Sequence, residues 1–338
     1  MTNRKLKVGL IGLGRLGKVY ARDLVRGLAG VELAAVADID AKLAQRVAEE
    51  LAVAKWYADP FALIAEHNLE AVLIVTPTNT HHDLVIAASQ RGKAIFCEKP
   101  LSLSLAQALA VQEAIARSGV FFQMGFMRRF DKGYAAAKQK LEAGEIGKPI
   151  LFRATSRDPF APSLEYANPQ NSGGLILDMG IHDFDLARWL VGEIASVSAL
   201  GNALACPELQ SVGDIDTAII TLKFSAGQIG TVDLTRNGVY GYDIATEIVG
   251  THGTLRIGYL RETPVLVMKQ NHIAHDVVPY FMERFAHAYP AQLQNFVENV
   301  LRDREPPITI ADGIAALHVA LAATEAYHCG ASVAVAEH

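Results

Sequence analysis

A short apolar run, residues 6–11 (LKVGLI), leads directly into Gly12-Leu13-Gly14-Arg15-Leu16-Gly17 and then into a helical pattern carrying Val19, Leu24 and Leu28 on one side. Few sequence features restrict a fold more than this one. Three glycines at this spacing, between a strand and a helix, allow a tight turn at Gly12 and close backbone approach by a ligand at Gly14. The third, Gly17, lets the helix pack close to the strand. The helix start then offers unpaired N–H groups and a partial positive charge, which suit a pyrophosphate. A second strand, Val31–Ala37, stops at Asp38, 21 residues past Gly17. A carboxylate there can accept hydrogen bonds from both ribose hydroxyls of an adenosine and repels a 2′-phosphate. The pair therefore predicts a dinucleotide site that favours NAD, with NADP use left open by Arg15, which can face either the pyrophosphate or a 2′-phosphate.

The surrounding pattern agrees. A helical segment at about 40–51, a strand at 69–75 and a short strand at 95–97 follow in alternation, which predicts a doubly wound parallel sheet. Polar residues cluster where these strands end, the position that faces a cofactor in such sheets. The strand at 69–75 runs into Thr76-Pro77-Thr78-Asn79-Thr80-His81-His82-Asp83, where Thr80 and Asp83 also have the spacing of a helix N-cap box. The strand at 95–97 ends in Glu98-Lys99-Pro100, an acid and a base whose backbone the proline keeps out of the helical region.

The length of 338 residues suits two domains at about 150 residues each. Past Phe121 the pattern changes. We place the boundary at 123/124, giving a dinucleotide domain over 1–123 and an α+β domain over 124–338. A helix is expected to about Ala143, then strands at 150–155, 216–224, 228–235, 244–249, 254–257 and 265–268. Several alternate in period two, with Ala218, Ile220, Leu222 and Phe224 on one side and Thr217, Ile219, Thr221 and Lys223 on the other. This predicts a largely antiparallel open sheet, helices on one face, the other free for a second copy of the chain in a dimer or tetramer. The stretches 291–302 and 310–327 read as helices.

Chemistry concentrates in Gly173–Asp185 (GGLILDMGIHDFD). A helix beginning near Asp178 would put Asp178, His182 and Asp185 on one face. A carboxylate one turn from an imidazole fixes its tautomer and supports proton shuttling. Zinc is disfavoured, because the neighbourhood lacks cysteine and a third histidine.

GLGRLG, TPTNTH and CEKPLS together resemble the glucose–fructose oxidoreductase, inositol dehydrogenase and rhizopine-catabolism family. Further matches run in order along nearly the whole chain: FMRRFD at 126–131, SRDP at 156–159, SGGLILDMGIHDFDLARWL at 172–190, VYGYD at 239–243 and ERFAHAY at 283–289. These are most similar to its inositol 2-dehydrogenase branch. The resemblance implies hydride transfer from a ring secondary alcohol of a cyclic polyol or sugar to NAD, with myo-inositol the first candidate and scyllo-inositol or an aldose such as glucose the alternatives. It implies Lys99, Asp178 and His182 as catalytic residues, and a cis bond before Pro100. Polyol contacts would come from Lys99, Arg129, Asp158, Asp178, His182, Tyr242 and Tyr289. Cofactor contacts would come from Gly12, Gly14, Arg15, Leu16, Gly17, Asp38, Thr76, Asn79, His81, Glu98 and Lys99. Read without the resemblance, Arg128 and Arg129 are a solvated turn pair, and Tyr240 and Tyr242 are strand aromatics. Two departures from the family pattern, a 166–173 segment about two residues longer and Gly180 between Asp178 and His182, bear on the choice of polyol more than on the chemistry. A non-catalytic dinucleotide-binding regulator is the remaining alternative, and retention of Lys99, Asp178 and His182 argues against it.

Composition fits a soluble, cytoplasmic chain. Hydrophobic residues make up 51% and charged residues 20%, and the formal charge is −5. No basic stretch suits nucleic acid or a membrane surface. The three cysteines stand far apart, without metal or disulfide spacing. The apolar N-terminal run is short and glycine-broken, unlike a signal peptide.

Overall fold

The computed structural model describes residues 4–335, so the outer ends of both expected domains, 1 and 338, lie outside the described residues. The chain divides into two compact units, Met1–Met127 with His287–Leu317, and Arg128–Ala286 with His318–His338. This is more interleaved than a single cut at 123/124.

The first unit holds β1 (Leu6–Ile11), α1 (Arg15–Arg26), β2 (Val31–Ala37), α2 (Ala41–Leu51), β3 (Lys55–Tyr57), α3 (Pro60–Ile64), β4 (Ala71–Ile74), α4 (His81–Gln90), β5 (Ala94–Glu98), α5 (Leu105–Ser118) and β6 (Phe122–Gly125). All six strands pair in parallel, in the order β3-β2-β1-β4-β5-β6. The order reverses beside β1, so the strand ends carrying Gly12, Thr76 and Lys99 border a topological switch point, where such sheets bind ligands. The central strands are apolar throughout, as burial on both faces requires: Leu6, Val8, Leu10 and Ala71–Ile74 are inaccessible to solvent. Asp40 caps α2 by accepting from Lys42 and Leu43 N–H groups, and Ser104 caps α5 through Gln107 N–H.

The second unit holds α6 (Lys132–Glu142), β7 (Pro149–Arg157), α7 (Leu164–Ala167), α8 (Pro169–Ser172), α9 (Gly174–Asp178), α10 (Gly180–Leu190), β8 (Ile194–Asn202), β9 (Thr217–Phe224), β10 (Ile229–Thr235), β11 (Asp243–Gly250), β12 (Thr254–Ile257), β13 (Val267–Lys269), β14 (His272–Ala274), α11 (Phe281–Arg284) and β15 (Val333–Ala334). Seven strands form one sheet in the order β12-β11-β7-β10-β9-β8-β15, antiparallel except for the parallel pair β7 and β10. The alternation in β9 holds: Ala218, Ile220, Leu222 and Phe224 are buried, whereas Ile219 is 52% exposed. Helices α9 and α10 pack on the buried face against β7, β9 and β10.

Two long helices, α12 (Ala288–Leu301) and α13 (Ile310–Cys329), precede β15. The first-unit membership of α12 comes from its apolar side. Phe296 stacks edge-on against Phe96 and Phe121, with ring centres 5.8 and 5.6 Å apart, and Gln294 Oε1 accepts from Ala29 N–H. No helix among the described residues is long and apolar enough to cross a membrane.

Candidate active site

On the first unit the glycine loop has the geometry expected of it. Gly12 adopts φ +94°, and a Cβ there would lie 2.5 Å from the Val75 carbonyl oxygen. At Gly17 a Cβ would sit 1.9 Å from the Gly12 carbonyl oxygen, so helix and strand touch backbone to backbone. A Cβ on Gly14 would meet nothing within 4 Å. That open cradle leads into α1, whose N-cap has no side-chain bond and whose first turn has no acid. The Asp38 carboxylate faces the loop, with Oδ2 accepting from Leu13 N–H at 2.7 Å and Oδ1 from Asp40 N–H at 3.0 Å. The residues present thus fit a dinucleotide: Gly12, Gly14, Arg15, Leu16 and Gly17 would hold its pyrophosphate and Asp38 its adenosine ribose.

After β4 a single 3₁₀ turn, Thr78–Thr80, precedes α4. The predicted capping box is absent: Thr80 is helical and makes no cap bond. Its hydroxyl instead reaches Thr76 Oγ1 at 2.7 Å and the Pro77 carbonyl at 2.8 Å, because the 3₁₀ turn draws the side chain back onto its own loop. Asp83 pairs with its neighbour His82 at 2.6 Å. His81 is buried, with Nδ1 2.7 Å from the Pro100 carbonyl and Nε2 3.0 Å from the Thr76 carbonyl. The ring thus braces the turn after β4 against the one after β5, and burial pulls its pKa down. The Lys99–Pro100 bond is cis.

Glu98, beside Lys99, is buried in a network that the sequence did not reveal. Its Oε1 accepts from the Tyr20 hydroxyl on α1, and Gln292 Nε2 on α12 donates to the Tyr20 oxygen at 2.5 Å and lies 3.5 Å from Oε1. Glycine at position 125 leaves the space, since a Cβ there would lie 2.9 Å from Oε1. Burial pushes the Glu98 carboxyl up to about 7, against the opposing pull of the Tyr20 hydrogen bond and the Lys99 charge. Tyr289 packs on Tyr20, ring centres 5.8 Å apart.

On the second unit, Asp178 and His182 do not share one unbroken helix. Asp178 is the last residue of α9, Met179 interrupts the helical stretch, and His182 is the third residue of α10, 8% exposed. The Asp178 carboxylate is contacted at both oxygens: Tyr166 donates to Oδ1 at 3.0 Å, and Arg236 Nη2 lies 3.5 Å from Oδ2. Asp185 turns to another partner, since Arg129 grips it through Nε to Oδ2 at 2.9 Å and Nη2 to Oδ1 at 2.5 Å. The same guanidinium lies over the Trp189 ring at 5.6 Å. Arg128 donates to Asp183 Oδ1 at 2.7 Å and to Ser156 at 3.2 Å, while Ser156 donates to Asp183 Oδ2 at 2.7 Å. Arg128 and Arg129 are therefore internal ion-pair partners, not a solvated turn pair. Tyr242 is 5% exposed, and burial, followed by the nearby Asp158 charge, keeps its phenol protonated. Neither Tyr240 nor Tyr242 is a strand residue: both lie in the turn between β10 and β11, where the Tyr240 hydroxyl donates to Asp243 Oδ2 at 2.7 Å.

Comparison with known proteins agrees with both units. Residues 6–126 match the family described as "Oxidoreductase family, NAD-binding Rossmann fold", and residues 138–335 match "Oxidoreductase family, C-terminal alpha/beta domain". The chain is 42% identical over 330 residues to a scyllo-inositol 2-dehydrogenase (NAD(+)) of Bacillus subtilis, covering 97% of this chain and 96% of that protein. It is 39% identical to a myo-inositol 2-dehydrogenase of Thermotoga maritima, covering 98% and 99%. Among solved structures it resembles scyllo-inositol dehydrogenase from Lactobacillus casei with bound NAD(H) and scyllo-inositol, at TM-score 0.94 and 35% identity, covering 99% of this chain and 100% of that one. With two family matches, in order, spanning both units, the chain belongs to the Gfo/Idh/MocA oxidoreductase family.

Proposed function

We propose that this protein is an NAD-dependent inositol 2-dehydrogenase, oxidising a ring secondary alcohol to the ketone. The observation that carries the reading is similarity over nearly the entire chain, at 42% identity, to an enzyme named for this reaction. Bound NAD supplies the hydride acceptor. His182 takes the hydroxyl proton, Asp178 orients the imidazole, and the Lys99 ammonium stabilises the developing alkoxide. Arg129, Asp158, Tyr242 and Tyr289 complete the polyol contacts, with Arg129 acting from its Asp185 pair. Thr76, Asn79, His81 and Glu98 shape the nicotinamide end of the cofactor site from the ends of β4 and β5. The Asp38 carboxylate favours NAD over NADP. The ring position follows myo-inositol C2, and scyllo-inositol is the second reading, because the 42% identical relative is named for it. We further propose a cytoplasmic homo-oligomer, a dimer or tetramer. Its support is the open sheet face, where Leu200, Ile219 and Ile229 are 78%, 52% and 59% exposed. A monomeric mass by light scattering would reject that assembly.

The test is NADH formation at mildly alkaline pH with myo-inositol, scyllo-inositol and glucose, each with NAD and with NADP. Turnover on an inositol with NAD is expected, and His182→Ala should lower kcat by about 10²- to 10⁴-fold while NAD affinity holds. Silence across this panel despite NAD binding would point to a sugar outside it or to the regulator class.

A further inference from the structure

Arg236 is the largest fully buried side chain in the described structure, 1% exposed, and it lies between two carboxylates. Its Nη1 bonds Asp214 Oδ2, and its Nη2, which makes no hydrogen bond of its own, lies 3.5 Å from Asp178 Oδ2. Asp214 is itself tied to the start of α9, where Oδ1 accepts from Leu175 N–H at 2.9 Å. Gly174 leaves space for that carboxylate, since a Cβ there would lie 2.9 Å from Oδ1. Asp214 thus holds the first turn of a five-residue helix, while Arg236 reaches the side chain of its last residue. A guanidinium withdrawn from water is costly unless its charge is matched, and two carboxylates in one buried neighbourhood resist being ionised together unless a cation lies between them.

We infer that Arg236, anchored by Asp214, is a positioning residue that fixes the Asp178 carboxylate and keeps it anionic, with Tyr166 steadying the opposite oxygen. This rests on the reading of Asp178 as the partner of His182 in the proposed dehydrogenase. Tyr166 from α7 and Arg236 from the end of β10, with Asp214 behind the arginine, meet the Asp178 carboxylate directly, and His182 follows four residues on, in the first turn of α10. An anion held in a fixed plane can orient an imidazole; a carboxyl that takes up a proton or rotates cannot.

The experiment compares the wild type with R236K and with the double variant R236M/D214N, which removes the buried cation and its anchor together so that neither is left unmatched. Three quantities are read: thermal midpoint, NAD affinity by fluorescence titration, and the Asp178 titration by carboxyl ¹³C NMR, with D178N for assignment. Inositol turnover is measured alongside. The double variant should fold and bind NAD like the wild type, yet titrate Asp178 about one unit higher. Its kcat should fall about tenfold or more, with part of both effects reversed in R236K. A folded double variant whose Asp178 titration is unchanged overturns the inference, whatever its kcat. If the double variant does not fold, R236Q, which keeps a hydrogen-bond donor but removes the charge, decides the matter: a raised Asp178 titration supports the clamp and an unmoved one overturns it. Because the titration needs no substrate, a shift in the variants combined with a wild type inactive on every inositol would uphold the clamp and sink the dehydrogenase reading.

Discussion

The two units surround their buried carboxyl groups with different partners. In the first, Glu98 sits among hydrogen-bond donors that are mostly neutral, the Tyr20 hydroxyl and the Gln292 amide, and burial lifts it to about 7. In the second, Asp183, Asp185 and Asp214 are each met by a buried arginine, Arg128, Arg129 and Arg236. Burial raises Glu98 and Asp183 alike; the phenol and amide leave Glu98 at about 7, whereas a guanidinium at hydrogen-bond distance opposes the rise and ties Asp183 into an ion pair. The difference teaches what each arrangement is suited to. The first makes a local environment that responds to pH beside Lys99; the second makes a rigid frame around the elements that carry Asp178 and His182.

The contrast is most exposed to attack at Arg128. Arg128→Met strands Asp183 without its cation, and the expected loss is about 3–5 kcal/mol by urea denaturation. A cost below about 1 kcal/mol would mean that the frame is not held by ion pairs. Next comes Glu98→Gln, where pH supplies the sign. The folded-state carboxyl titrates near 7, above its ordinary 4.5, so its contribution to stability is fully present below pH 4.5 and is lost as pH rises through 7. At roughly 1.4 kcal/mol per pKa unit the effect approaches about 3 kcal/mol. The glutamine variant escapes that loss, so its Tm relative to wild type should rise between pH 5 and pH 8.5. Parallel Tm curves would show that Glu98 is not poised. The smallest effect is expected at Arg129→Lys, which keeps the charge but loses the two-bond fork on Asp185 and the stacking on Trp189, at about 1 kcal/mol. A neutral result there, beside a large loss at Arg128, would separate charge from geometry within the frame.

The parts of the site legible in the sequence are those whose partners are near in the chain. Gly12, Gly14 and Gly17 announce their turn because strand, loop and helix start are contiguous, and Asp38 follows at a spacing set by one crossover. Strands β1, β2 and β9 show their faces through runs or alternation. The short elements β3, α3 and β6 escaped, since three to five residues carry too little periodicity. One missed residue did leave a signal: the buried side of β10, Val232 and Leu234, extends in period two to Arg236, an arginine on an inward position. Read that way, it predicts a buried cation in need of acids.

The chain by itself carried the parallel α/β pattern of its first part and the glycine turn, because backbone conformation and hydrophobic periodicity are properties of neighbouring residues, and its family resemblance supplied the candidates Lys99, Asp178 and His182. Only the tertiary structure decided their company. Tyr20 and Gln292 meet Glu98 from 78 and 194 residues away, and Arg128 and Arg129 meet Asp183 and Asp185 across 55 and 56. Charge matching and burial act through space, and at such separations no local pattern says which carboxyl receives an arginine and which a phenol.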